Sequence, residues 1–285
     1  MLRACSEKEF DPLLDFAYGL AMDLTKSGYP TYCDGIKTKA MFVEQCHRAF
    51  KRQTEQMLLF EYEGRVEGII HYEWIPEDRY LSTISFHINT DMQQALAEFL
   101  AFAGEHFKGY DLFLGFPVEN KQAVNYLTGH GFECIEDDYN NTAFLNRCKE
   151  LPEHNELIRI QRENYESFRI LHSQIEGDMY WNSDRILADL ENWNVWVKEK
   201  DGKPQGAVYY RKIGDGWSEI FGIDTESGKY DKDLFRELLG GALLDAKSKG
   251  DRVMTFFCEK EVEDAALECG FSCIGNYLCF KKHLV

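Results

Sequence analysis

Cys269, Cys273, Cys279 and His283 form a C-x3-C-x5-C-x3-H run near the C-terminus. Thiolates and an imidazole at short spacing are the donor set of a zinc site. The run also suits small apolar side chains, because Cys269 ends a predicted helix and the other residues fall in the strands after it. An earlier copy of the same stretch keeps only Cys134, at the Cys273 position. Buried thiols explain this better than a metal, and none is expected. Cys46 and His47 are sequence neighbours, which does not make a nucleophile and its base. The sequence has no HExxH, Walker loop or GxSxG. What remains is single carboxylates scattered along the chain. Isolated carboxylates are by default solvated surface residues.

The elements that position these residues come twice. GFECI at Gly131–Ile135 returns as GFSCI at Gly270–Ile274, 139 residues on. EGRVEGIIHY at Glu63–Tyr72 returns as DGKPQGAVYY at Asp201–Tyr210, 138 residues on. Two matches at nearly one offset indicate a unit of roughly 140 residues built twice. The expected domains are 1–148 and 156–285, joined by the polar, Pro152-containing linker Lys149–Asn155.

Each copy reads β-α-α-β-β-β-α-β-α-β-β. Ser6 with Glu9 has the form of a capping box ahead of a helix carrying Phe10, Leu13, Leu14, Ala17 and Leu20. A second helix is expected around Lys37–Lys51. Strands at Gln56–Glu61 and Val66–Trp74 flank a Glu63-Gly64 turn, and Tyr80–Ile88 follows. Ala95, Leu96, Phe99, Leu100, Ala103 and Phe107 hold helical spacing. After a strand at Asp111–Phe116 and a helix at Glu119–His130, Phe132–Leu145 is expected to close the half as a hairpin. The second half repeats this order, with a closing hairpin at Phe271–Lys282.

The chain has 285 residues, 44% hydrophobic and 14% aromatic, enough for two cores. No apolar run approaches the roughly 20 residues of a membrane span, and MLRACSEKEF lacks a signal-peptide core. Nine cysteines without a CxxC pair suit a reducing, cytoplasmic location. A formal charge of −17 disfavours nucleic acid as a partner. The same field attracts an amine, although solubility alone explains it too.

The element order, the acidic-Gly-basic hairpin turn and the Asn-led helix ending in Gly-Phe resemble the GNAT family of N-acetyltransferases. The most specific match is N-x-x-A-x-x-x-x-x-x-x-G-F, met by Asn120, Ala123, Gly131 and Phe132. The second half keeps Gly270 and Phe271, with Glu259 at the Asn position. The resemblance covers nearly the whole chain, once per half, as in tandem members of the family. It implies an α/β (α+β) fold of two GNAT-like acyl-CoA N-acyltransferase domains, each a mixed, mostly antiparallel sheet flanked by helices. The implied reaction moves an acetyl group from acetyl-CoA to the amine of a small acceptor. The alternative is an inactive pseudo-acetyltransferase that binds a ligand or partner in the same cleft.

By the same resemblance, the fourth and fifth strands splay, and the cofactor's amide arm pairs with the exposed fourth-strand edge. That edge is Ser85–Ile88 in the first half, giving His87 and Ile88, and Ile220–Ile223 in the second, giving Ile223. The family holds pyrophosphate on the glycine-rich start of the next helix. Here Ile88–Gln93 has no glycine, whereas Asp224–Asp231 offers Gly228 and Lys229 beside the repelling Asp231 and Asp233. Asn120 completes the implied cofactor residues. The implied catalytic residues are a carboxylate base, Glu219 or Glu73, and a tyrosine acid. Tyr126 stands one residue before the family's tyrosine position, which Leu127 occupies, and one residue turns a helix by about 100°. Tyr180 and Trp181 fall where the family shapes its acceptor pocket.

Overall fold

The computed structural model describes residues 1–148, 156–177 and 179–285. The expected linker Lys149–Asn155 lies outside these residues. Two compact units emerge: Met1–Asp137 with Gly275–Val285 (unit 1), and Asp138–Ile274 (unit 2). The sequence predicts domains at 1–148 and 156–285; in the packing units Gly275–Val285 goes with the first unit and the chain from Asp138 with the second.

The order is β1 (Leu2–Ala4), α1 (Glu7–Phe10), α2 (Leu14–Ala21), α3 (Lys39–Arg48), β2 (Glu55–Tyr62), β3 (Arg65–Ile75), β4 (Tyr80–Ile88), α4 (Met92–His106), β5 (Asp111–Pro117), α5 (Lys121–Gly129) and β6 (Glu133–Phe144). It continues β7 (Leu157–Arg159), α6 (Glu166–His172), α7 (Ser183–Ala188), β8 (Trp193–Lys200), β9 (Lys203–Gly214), β10 (Trp217–Thr225), α8 (Lys232–Ser248), β11 (Val253–Cys258), α9 (Glu263–Glu268) and β12 (Ser272–His283). Local sequence accounts for most of these. Ser6 N–H and Oγ both donate to Glu9 Oε2, at 3.0 and 2.7 Å, which closes the capping box. Pro12 then interrupts the expected first helix with a 3-10 turn over Asp11–Leu13. Glu63-Gly64 and Asp201-Gly202 have φ of 49, 79, 53 and 73°, the type I′ pattern that matches strand twist.

Two expectations fail together. Neither closing segment is a hairpin. β6 is one strand of 12 residues, and so is β12. Left-handed glycines stand before them, at Gly131 and Gly270, and not inside them. β12 lies antiparallel to β5, with Tyr277 opposite Pro117 and His283 opposite Asp111. β6 lies antiparallel to β11, with Tyr139 opposite Cys258 and Phe144 opposite Val253. A hairpin return strand was unnecessary because the other repeat supplies the neighbour.

Unit 1 has the order β1-β2-β3-β4-β5-β12, and unit 2 the order β6-β11-β10-β9-β8-β7. Within the two units the described strand pairs are antiparallel except β4/β5 and β10/β11, which are parallel. In unit 1, Phe86, Leu96, Phe99, Leu114 and Phe116 form the core beneath α4 and α5, and Phe10, Tyr32, Phe42 and Leu59 the core beneath α1–α3. In unit 2, Ile220, Leu238, Leu239, Met254 and Phe271 pack beneath α8 and α9. Phe168, Leu171, Trp193 and Tyr209 pack beneath α6 and α7. Each such side chain, fully buried, is worth roughly 1.5–3 kcal/mol. Among the described residues, no helix is long and apolar enough to cross a membrane.

Candidate functional site

Each unit contains one fork. β4 and β5 pair at Tyr80/Asp111, Leu81/Leu112 and Ser82/Phe113, and their pairing then stops. β10 and β11 pair from Trp217/Val253 to Ile220/Phe256 and stop likewise. A bulge lies near each fork, between His71 and Tyr72 against β4, and between Ile220 and Gly222 in β10. Parallel strands that separate leave backbone donors and acceptors on both inner edges, and those groups need partners.

In unit 1 the chain itself supplies them. Lys26–Tyr29 enters the fork antiparallel to β4. Gly28 N–H donates to Phe86 O at 2.7 Å, Ile88 N–H to Lys26 O at 2.9 Å, and Tyr29 N–H to Gly115 O at 2.9 Å. Position 28 leaves little room for a side chain, because a Cβ would stand 3.1 Å from Gly115 O and 3.2 Å from Phe86 Cβ. Asn120 fastens the segment: its Nδ2 donates to Ser27 O at 3.1 Å, while its Oδ1 accepts from Ala123 N–H at the start of α5. At the bulge, Gln45 Nε2 donates to Ile84 O at 3.1 Å. Beyond the segment is a cleft of ≈ 290 Å³ bordered by Lys26, Ile88, Asp91, Glu119 and Lys121.

In unit 2, among the described residues, the corresponding edge has no such inserted segment. The turn after α6 folds back on that helix, with Ile175 and Glu176 N–H donating to His172 O at 3.1 and 3.0 Å. Among the described residues, no segment of this connection pairs with β10. Phe221, Gly222 and Ile223 are half-exposed. One sheet face carries the row Trp193–Arg211–Glu219–Thr255–Thr142, each residue opposite the next across β8, β9, β10, β11 and β6. Arg211 lies 5.1 Å from the Trp181 ring and 5.2 Å from the Trp193 ring, and its guanidinium is 3.6 Å from Asp189. Phe221 stands 5.0 Å from Trp193, so an aromatic wall borders the bulge.

Behind that wall, His172 Nδ1 lies 2.8 Å from Asp224 Oδ2 and Nε2 lies 2.9 Å from Trp181 O, tying α6 and the wall to β10. Tyr209 packs its ring 5.1 Å from His172 and sends its hydroxyl to Gly222. A Cβ at position 222 would be 2.2 Å from that oxygen, so glycine is required. Burial, then the Asp224 charge, push the Tyr209 phenol well above its usual range. It stays protonated, as a donor, at the strand edge.

The corner from β10 into α8 is a poor anion cradle. Glu226 N–H donates to Gln205 O at 2.9 Å and Gly228 N–H to Thr225 O at 3.0 Å. Lys229 N–H donates to Ser227 Oγ at 3.2 Å. Asp231 Oδ1 caps α8, accepting from Asp233 and Leu234 N–H at 3.1 Å each. The amides of Glu226, Gly228, Lys229, Asp233 and Leu234 are thus engaged, and a carboxylate occupies the positive end of the helix. Unit 1 is alike: Asp91 caps α4 by accepting from Gln94 N–H at 3.1 Å. The residues at neither corner fit the pyrophosphate of acetyl-CoA.

The residues singled out in the sequence therefore separate. Glu219, Ile223, Gly228 and Lys229 share the β10 strand and its loop; Gly228 has φ of +63° and Lys229 is exposed. Glu73 sits opposite Glu55 and Ser82, in the unit 1 row equivalent to that of Glu219. Burial, then the Glu55 charge, raise its carboxyl. Glu55 is bound by Arg48 Nη2 at 2.6 Å, Arg52 Nη1 at 2.9 Å and His71 Nε2 at 2.9 Å. His87 and Ile88 are buried, with the His87 imidazole held down to about 3 by burial. Tyr126 stacks on His130, ring centroids 3.8 Å apart. Cys269 Sγ lies 3.6 Å from Arg236 O, and His283 Nδ1 lies 2.8 Å from Asp111.

Sequence reading missed Lys26–Tyr29, Tyr209 and the His172–Asp224 pair. A mid-strand glycine at 222 was the one available signal for Tyr209. The filling segment left none, since it reads as an ordinary Gly- and Pro-containing loop.

No protein-family model matches the sequence, and no curated protein matches it. Solved structures do match. A GCN5-related N-acetyltransferase from Sphaerobacter thermophilus superposes with a TM-score of 0.66 at 13% identity, over 100% of this chain and 95% of that one. A tandem GNAT protein from the clavulanic acid biosynthesis pathway gives a TM-score of 0.54 at 9% identity, over 100% and 98%. The glucosamine N-acetyltransferase region of a fungal multi-domain GH3 β-N-acetylglucosaminidase gives 0.62 at 11% identity, over 99% of this chain and 38% of that one. At such identities the likeness is one of architecture: this chain has the tandem GNAT fold.

Proposed function

We propose that this protein is an acyltransferase whose working groove is in unit 2, moving a small acyl group from a thioester donor to the amine of a small acceptor. The observation that carries this reading is the half-exposed edge Phe221–Ile223 beside the β10/β11 fork. Glu219 is the base for the acceptor amine, two residues before the bulge and in register with Arg211. Tyr209 offers its hydroxyl at Gly222, where charge on the acyl oxygen would develop. Trp181, Trp193 and Tyr180 border the acceptor. Unit 1 serves as scaffold, with Asn120 holding the filling segment. The fold neighbours support acyl transfer in general. The nine cysteines are free thiols, which supports a reducing, cytoplasmic compartment.

The test is steady-state acylation of an amine panel, with acetyl-CoA and S-acetylpantetheine as donors, in the wild type and in Glu219→Gln. Turnover that Glu219→Gln abolishes supports the reading. Binding of a donor without turnover on any amine replaces it with the inactive, ligand-binding alternative.

A further inference from the structure

The fork of unit 1 displays what such a groove holds: an extended chain of amides, uncharged at its backbone, paired to β4 through Gly28 and Ile88. The fork of unit 2 has a bulged β10 edge in the equivalent place and, among the described residues, no occupant from its own connection. At its far end stand Glu226, Asp231 and Asp233. The amides of Glu226, Gly228, Lys229, Asp233 and Leu234 are already bonded within the protein. A phosphate there would displace a helix cap and meet carboxylates. Lys232 offers no compensation, because its ammonium is held by Asp264 at 2.9 Å and Glu268 at 2.7 Å.

We infer that the unit 2 groove selects a donor by an uncharged, amide-bearing arm ending in a thioester, a pantetheine-type chain, and takes nothing from a nucleotide pyrophosphate. This rests on reading the β10 edge as the donor site. Its consequence is that truncating a CoA thioester at the pantetheine hydroxyl costs no binding. A donor without pyrophosphate is as good a substrate as one with it.

The experiment is isothermal titration of the full chain with pantetheine, CoA and adenosine 3′,5′-bisphosphate under reducing conditions. Pantetheine and CoA should bind within about threefold of each other, and the bisphosphate should neither bind nor compete. Asp231→Asn keeps a good helix cap and removes its charge. It should tighten CoA by about threefold relative to pantetheine, the scale of one charge at a helix N-terminus. CoA binding about thirtyfold or more tighter than pantetheine, or competition by the bisphosphate, overturns the inference and leaves acyl transfer in unit 2 standing. Heat from neither pantetheine nor CoA overturns both.

Discussion

Beyond the fork, every residue of Thr83–Ile88 in unit 1 is buried, while Phe221–Ile223 in unit 2 is half-exposed. The two edges descend from one repeat and share a bulge, a strand order and an Asp-capped helix after the strand. They differ in what meets the edge. Lys26–Tyr29 completes the hydrogen bonds of β4, so unit 1 has a sealed seam, and His87 sinks into the core next to Phe42. At the matching place in unit 2 stands Asp224, bonded to His172, and the connection after α6 turns away. A duplicated fold can thus divide its work. One copy fills its groove with its own chain; in the other, among the described residues, no segment of the connection pairs with the edge.

Substitutions separate these roles. The largest effect belongs to Glu219→Gln, which should lower kcat by about 10²–10⁴-fold, the worth of a positioned base, while Glu73→Gln in the equivalent unit 1 row leaves the rate unchanged. Acylation kinetics on both variants decide this; equal losses would erase the distinction between units. Gly222→Val forces a Cβ against Tyr209 Oη and should destabilise the protein by about 1–3 kcal/mol in urea unfolding. Adding Tyr209→Phe to it should recover part of that loss.

His87 sets a pH dependence specific to unit 1. Its folded value of about 3 lies below the ordinary 6.5 of imidazole, so the unfolded chain takes up the proton first. Its contribution is fully present above pH 6.5 and is lost as pH falls towards 3. About 2 kcal/mol is gone at pH 5. His87→Leu should flatten that limb, read as a smaller difference in unfolding free energy between pH 8 and pH 5; an unchanged difference would place the imidazole in water. Smallest is Asn120→Ala, costing about 1–2 kcal/mol through the lost cap and the lost bond to Ser27. Hydrogen exchange over 26–29 should quicken with kcat preserved. Loss of kcat would return Asn120 to the donor site.

Much of this architecture was legible before any coordinates. Period-2 and period-3.6 patterning, the Glu63-Gly64 and Asp201-Gly202 turns and the duplicated Gly-Phe segments are local signals, and they gave the strands and helices nearly in place. Asp231 was legible as a repelling charge, and Glu219 as a strand carboxylate. Strand exchange was not, because β6 and β12 carry the same alternation whichever sheet they join. Nor was the fate of the first groove. Lys26–Tyr29 pairs with Ile88 and Gly115 across long sequence separations, and nothing in its composition reports a partner so far away. Asn120 matched a motif letter for letter, yet its amide holds the chain's own Ser27. Motif identity specified a side chain at a helix start without specifying what it would grip.

The most direct test is hydrogen-exchange mass spectrometry of the full chain with and without saturating S-acetylpantetheine. Slowed exchange across 221–225, with 83–88 and 26–29 unchanged, is the predicted result. Protection of 83–88, or faster exchange at 26–29 as the segment leaves its fork, would contradict it and move the working groove to unit 1.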